Sequence, residues 1–161
     1  MTDIDAVIAQ TVVPTWDDYH MGMAISAARR SKDRSTKLGC VIVGPDNEIR
    51  TTGYNSFPRG IRDDIEERHQ RPEKYDWTEH AERNAIYNAA RHGVALKDCK
   101  LYVPWLPCMP CARGIINVGI TTVIGYATRL DDPTFARDFP RVRQMFKEAG
   151  VQLLIMPHLP E

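Results

Sequence analysis

A chain of 161 residues with 43% hydrophobic side chains is long enough to bury a core as one domain without disulfide or metal staples. Its 21 basic and 21 acidic residues cancel, which argues against a polynucleotide binder that relies on overall charge while leaving room for a local basic patch. No apolar run approaches the length of a membrane span, and Asp3 and Asp5 stand where a secretory leader needs positive charge. A cytoplasmic location is therefore expected, in which the four cysteines stay reduced.

No repeat, low-complexity tract or linker divides the sequence, so a single domain over 1–161 is expected, with its core at about 15–156. The stretch TWDDYHMGMAISAARRS spaces Trp16, Tyr19, Met23 and Ala27 at helical intervals and predicts the first helix. The runs LGCVIVG and EIRTTGY flank a Pro45-Asp46-Asn47 turn signal and predict an antiparallel hairpin. Residues 56–77 are polar, lack periodicity and contain Pro58, Gly60 and Pro72, which predicts an extended loop with some helical turns. The remainder alternates: helix 79–91, strand 99–105, helix 109–118, strand 121–126, helix 134–149 and strand 151–156. Such alternation predicts parallel strands joined by crossover helices.

Two of those helix starts carry chemistry. TEHAERNAI, residues 78–86, presents His80 and Glu82, and PCMPC, residues 107–111, presents Cys108 and Cys111 on one face of a helical turn. His80 alone cannot hold zinc, but with two thiols it makes a three-ligand set, and a helix N-terminus favours the thiolate that the metal needs. Three protein ligands leave a fourth position for water, whose pKa zinc lowers to about 7. Glu82 lies about 200° from His80 around a helix axis, so it is placed to reach water or substrate rather than to ligate beside it. Each motif has a plainer origin: HxE arises by chance, CxxC occurs in redox pairs, and Cys40, Cys99 or His69 would close a purely structural zinc site. Cys40 and Cys99 stand in apolar strand contexts that suit small buried hydrophobes. The conjunction of HxE with PCxxC on successive helix starts is the zinc nucleobase-deaminase signature.

The segments RSKDRSTKLGCVIVG, GYNSFPRG, HAERNAI and PCMPCARGIINVGI resemble, in order and spacing, the deoxycytidylate (dCMP) deaminases of the cytidine deaminase superfamily, over most of residues 15–155. The resemblance implies an α/β protein with the three-layer α/β/α cytidine deaminase-like fold and a five-stranded mixed sheet. It implies Zn2+ on His80, Cys108 and Cys111, with Glu82 as the catalytic proton carrier. Substrate contacts are implied at Asn55, Ala81, Ser31 and Lys32, the last two beside the phosphate. Hydrolysis of dCMP to dUMP and ammonia, a homo-oligomer, dCTP or dTTP effectors acting through the RSKD and GYNxxPxG regions, and no polynucleotide or membrane partner are further implications. The tyrosine of the family beyond the fourth strand has no clear counterpart in GYATRLDDPTF unless Tyr126 takes its role. Competing functions are a deaminase of a nucleoside, a modified cytosine or another small heterocycle, a non-catalytic zinc-stabilised binding module, and a polynucleotide editor.

Overall fold

The computed structural model describes residues 12–126 and 133–157. Asp3, Asp5 and the segment 127–132 after the fourth strand lie outside the described residues. The elements are α1 (Trp16–Ala28), β1 (Gly39–Val43), β2 (Ile49–Tyr54), α2 (Lys74–Trp77), α3 (Ala81–His92), β3 (Lys100–Trp105), α4 (Met109–Asn117), β4 (Thr122–Tyr126), α5 (Pro133–Ala149) and β5 (Gln152–Met156). A single 3-10 turn, Glu66–His69, precedes α2. From α3 to β5, the boundaries expected from periodicity fall within two residues of those observed.

The five strands form one mixed sheet in the order β2-β1-β3-β4-β5. β1 runs antiparallel to both β2 and β3, while β3, β4 and β5 are mutually parallel. Central β1 reads Gly-Cys-Val-Ile-Val and is buried throughout because helices cover both faces. Val41 and Val43 meet Met21 and Ala24 of α1 on one side; Cys40 and Ile42 meet Ala81 and Ala85 of α3 on the other, in the larger core that Ile115 of α4 and Phe146 of α5 complete. These are the three layers expected.

Two glycines set how closely the layers approach. A Cβ on Gly39 would meet the Ala24 carbonyl and the Ala28 amide of α1, and one on Gly53 would meet the Ala81 carbonyl and the Ala85 amide of α3. The α3 contact seats the helix that follows His80 and carries Glu82. Thr51 adds a hydrogen bond from Oγ1 to the Ala85 carbonyl at 3.1 Å.

The face of α1 differs from the stripe that marks it in the sequence. His20, Met21, Ala24 and Ala28 are buried, whereas Trp16 and Tyr19 are 58% and 43% exposed. Close approach to Gly39 demands small side chains at the contact, and Ala24 and Ala28 supply them where Trp16 and Tyr19 cannot.

Residues 56–77 form the irregular segment expected, and its two ends meet. Ser56 N–H donates to the Glu79 carbonyl at 3.1 Å and Glu79 N–H to the Ser56 carbonyl at 2.9 Å. This bridge holds residue 79 in extended backbone, so α3 begins at Ala81 rather than at 79. The segment docks on the turn after α1 through charge: Lys32 pairs with Asp63 at 2.7 Å, Arg34 with Glu66 at 2.5 Å and Lys74 with Asp33 at 2.9 Å. Among the described residues, no helix is long and apolar enough to cross a membrane.

Candidate active site

His80 and Cys108 occupy equivalent places, each the residue before a helix, with extended backbone and no side-chain bond to the first-turn amides. Their side chains turn instead towards each other. Pro110 occupies the first turn of α4, where a missing amide proton costs no helical hydrogen bond, and Cys111 follows on the same face. Cys108 Sγ and Cys111 Sγ lie 3.4 and 3.6 Å from His80 Nδ1. All three ligand atoms fall within 4.8 Å of one another. Zinc bonds of about 2.3 Å to sulfur and 2.0–2.1 Å to nitrogen give tetrahedral edges of about 3.5 Å between S and N, so the donor set fits zinc in both chemistry and spacing. Neither Cys40, Cys99 nor His69 belongs to this cluster, so among the described residues the closed-site alternative has no fourth ligand.

The backbone behind His80 is pinned by Glu79, whose Oε1 accepts from His80 N–H at 3.0 Å and from Arg83 Nε at 2.5 Å. Glu82, the second residue of α3, is 2% exposed, and its Oε2 has no hydrogen-bond partner among the described residues. Burial pushes the Glu82 carboxyl up, although His80 nearby acts in the opposite direction. The thiol of Cys108 is brought down to about 4 by its hydrogen bond with Cys111, assisted by His80 and opposed by burial. Cys111, as the other partner in that bond, is pushed up, and His80 is raised by its bond to Cys108. The cluster thus shares protons that a metal must displace to bind.

A cleft of about 590 Å³ opens beside these groups and is lined by His80, Glu82 and Cys108 together with Asn55, Ala81 and Trp105. Asn55 is held by its own amide: Oδ1 accepts from Leu38 N–H at 2.8 Å and Nδ2 donates to the Thr36 carbonyl at 2.9 Å. Ser31 does not line this cleft. It is buried beneath Asn55, donating from Oγ to the Asn55 carbonyl at 2.8 Å and accepting from Asp33 N–H at 3.1 Å. Lys32 points to a second, smaller pocket of about 230 Å³, shared with Arg30 and Arg59. Of the nominated residues, the fold therefore brings together His80, Cys108, Cys111, Glu82, Asn55 and Ala81, and sets Ser31 and Lys32 apart.

Sequence inspection missed the buried Lys74–Asp33 pair, which also joins Ser35 Oγ at 2.6 Å and braces two walls of the cleft. Forty-one positions separate the partners, and no local pattern signals such a pairing. It also missed Glu79, for which the carboxylate preceding the HxE motif is the available sign.

A three-layer fold whose helix starts assemble a His-Cys-Cys set beside a buried glutamate is of the cytidine deaminase-like class. Residues 14–127 match the sequence model for the cytidine and deoxycytidylate deaminase zinc-binding region, and the chain belongs to this family. It is 38% identical over 141 residues to the deoxycytidylate deaminase of Mus musculus, across 84% of this chain and 76% of that protein. It is 35% identical over 157 residues to a probable deoxycytidylate deaminase of Drosophila melanogaster, across 91% of this chain and 73% of that protein. Among solved structures, dCMP deaminase from the cyanophage S-TIM5 in complex with dCMP and dUMP superposes with a TM-score of 0.69 over 91% of this chain and 100% of that one. Its identity of 20% makes that likeness one of fold.

Proposed function

We propose that the chain is a single-domain hydrolase that deaminates a cytosine nucleotide with zinc as its metal, converting dCMP and water to dUMP and ammonia. The observation that carries this is the convergence of His80, Cys108 and Cys111 beside buried Glu82 at one large cleft. The names of the relatives, deoxycytidylate deaminases at 35–38% identity, support the choice of nucleotide. Zinc held by His80, Cys108 and Cys111 would supply a Lewis acid that brings water towards hydroxide at neutral pH.

The rest of the chemistry falls to the chain. Glu82 takes a proton from the water that adds at C4 of the base and delivers protons to N3 and to the amino group that leaves as ammonia. Burial raises its pKa, which favours uptake of that proton. Ala81 and Asn55 line the wall that holds the substrate, and Ser31 acts beneath Asn55. Lys32, with Arg30 and Arg59, suits a nucleotide effector such as dCTP or dTTP in the smaller pocket. The family resemblance supports a homo-oligomer, and the free thiols suit the cytoplasm.

The test is ammonia release from dCMP, CMP, deoxycytidine, dCTP and methylated dCMP, with single-stranded DNA as a further substrate. Preference for dCMP supports the proposal; equal or better turnover of deoxycytidine or of the polynucleotide overturns it.

A further inference from the structure

We infer that Arg71 is the residue through which this site selects a substrate bearing a terminal phosphate, an inference that rests on the nucleotide function proposed above. Besides His80, the cations lining the cleft among the described residues are Arg71 and Lys74. Lys74 is buried and already engaged by Asp33 at 2.9 Å and by Ser35 Oγ at 2.6 Å, so it has no face to offer a ligand. Lys32, the cation suggested by the sequence, is paired with Asp63 and lines the other pocket.

Arg71 is exposed and has no carboxylate partner among the described residues. Two carboxylates on the cleft wall are answered locally: Asp33 by Lys74, and Asp138 by Arg137 at 2.8 Å. Arg71 is thus the cleft cation whose charge is uncompensated among the described residues. Its guanidinium carbon stands 5.8 Å from the ring centre of Tyr75, another cleft residue, within the range of a cation–π contact that steadies the planar fork. The backbone on either side is fixed as well, because Lys74 N–H donates to the Gln70 carbonyl at 2.8 Å and the Lys74 side chain is anchored in its ion pair. A guanidinium so placed presents paired N–H donors that match two phosphate oxygens, which a point charge on a flexible stem does not. A nucleoside offers it nothing.

The experiment compares kcat/KM for dCMP and deoxycytidine, at fixed ionic strength and without effector, in wild type, Arg71→Ala, Arg71→Lys and Arg62→Ala. Arg62 lies on the same segment but lines neither pocket and pairs with Asp64. Arg71→Ala is expected to lower kcat/KM for dCMP about ten- to a hundred-fold, chiefly through KM, while deoxycytidine changes by less than about twofold. Arg71→Lys should recover part of the loss, and Arg62→Ala should leave both substrates unchanged. A dCMP preference that survives Arg71→Ala overturns the inference and leaves the function standing. Equal loss for both substrates, with a lowered Tm or altered oligomer size, assigns Arg71 a structural role and also overturns it. Wild-type protein with no preference for dCMP overturns the nucleotide function itself.

Discussion

Replacing Glu82 with glutamine tests the proposed proton carrier separately from the proposed metal site. The substitution keeps side-chain volume and removes only acid–base capacity, and the carboxylate is not one of the three converging ligand atoms. Turnover of dCMP should fall about 10²–10⁴-fold, the contribution of a positioned general acid–base group, or about 2.7–5.4 kcal/mol of barrier. Stability should move the other way or not at all. The side chain is 2% exposed and burial raises its pKa, so a neutral amide of the same volume removes a charge that is costly to bury. Zinc should remain at about one per chain, as expected for a site with three protein ligands, whereas His80→Ala should lose it. Saturated rates of ammonia release, metal analysis and calorimetric Tm on the same preparations decide the matter. Turnover within about tenfold of wild type, or metal loss in Glu82→Gln, would refute the assignment.

Two further outcomes test the scaffold. Lys74→Met should destabilise the fold by about 3 kcal/mol near neutral pH, the low end for breaking a buried pair, because Asp33 keeps bonds from Ser35 and Thr36. Burial alone would raise the Asp33 carboxyl, but Lys74 and the neighbouring amides bring it down to about 2 from 3.8. This contribution is therefore fully present above the ordinary carboxylate value and is lost as pH falls from about 4 towards 2, where wild-type and variant denaturation curves should converge. Gly53→Ala should cost about 1–3 kcal/mol by forcing β2 away from α3 and should also reduce kcat, because α3 carries Glu82. Urea unfolding and steady-state kinetics on one preparation check both effects, and an unchanged kcat would show that the helix start is insensitive to its seat.

The convergence of His80, Cys108 and Cys111 was legible because it is local: HxE and CxxC fall at helix starts, where spacing alone brings the three side chains to the same end of the fold. The alternation after residue 79 likewise conveyed the parallel half of the sheet. Contacts between distant segments were not legible. The turn after α1 offers Ser31 and Lys32 as phosphate contacts, yet Lys32 and its neighbour Arg34 are answered by Asp63 and Glu66, and Ser31 is consumed in holding Asn55. The buried face of α1 was similarly hidden, because hydropathy favours Trp16 and Tyr19 while the constraint is the space beside Gly39.

The bridge between Ser56 and Glu79 gives the protein a way to change what it recognises without disturbing how it reacts. The excursion it closes leaves the scaffold and returns at one point, immediately before His80. Away from the Lys74 anchor, its length can drift by insertion and deletion at little entropic penalty, since doubling a flexible loop costs only about 0.6 kcal/mol. A lineage that kept the neck and redrew the excursion would inherit the hydrolytic centre intact with a new cleft wall in place of the one that now carries Arg71 and Tyr75.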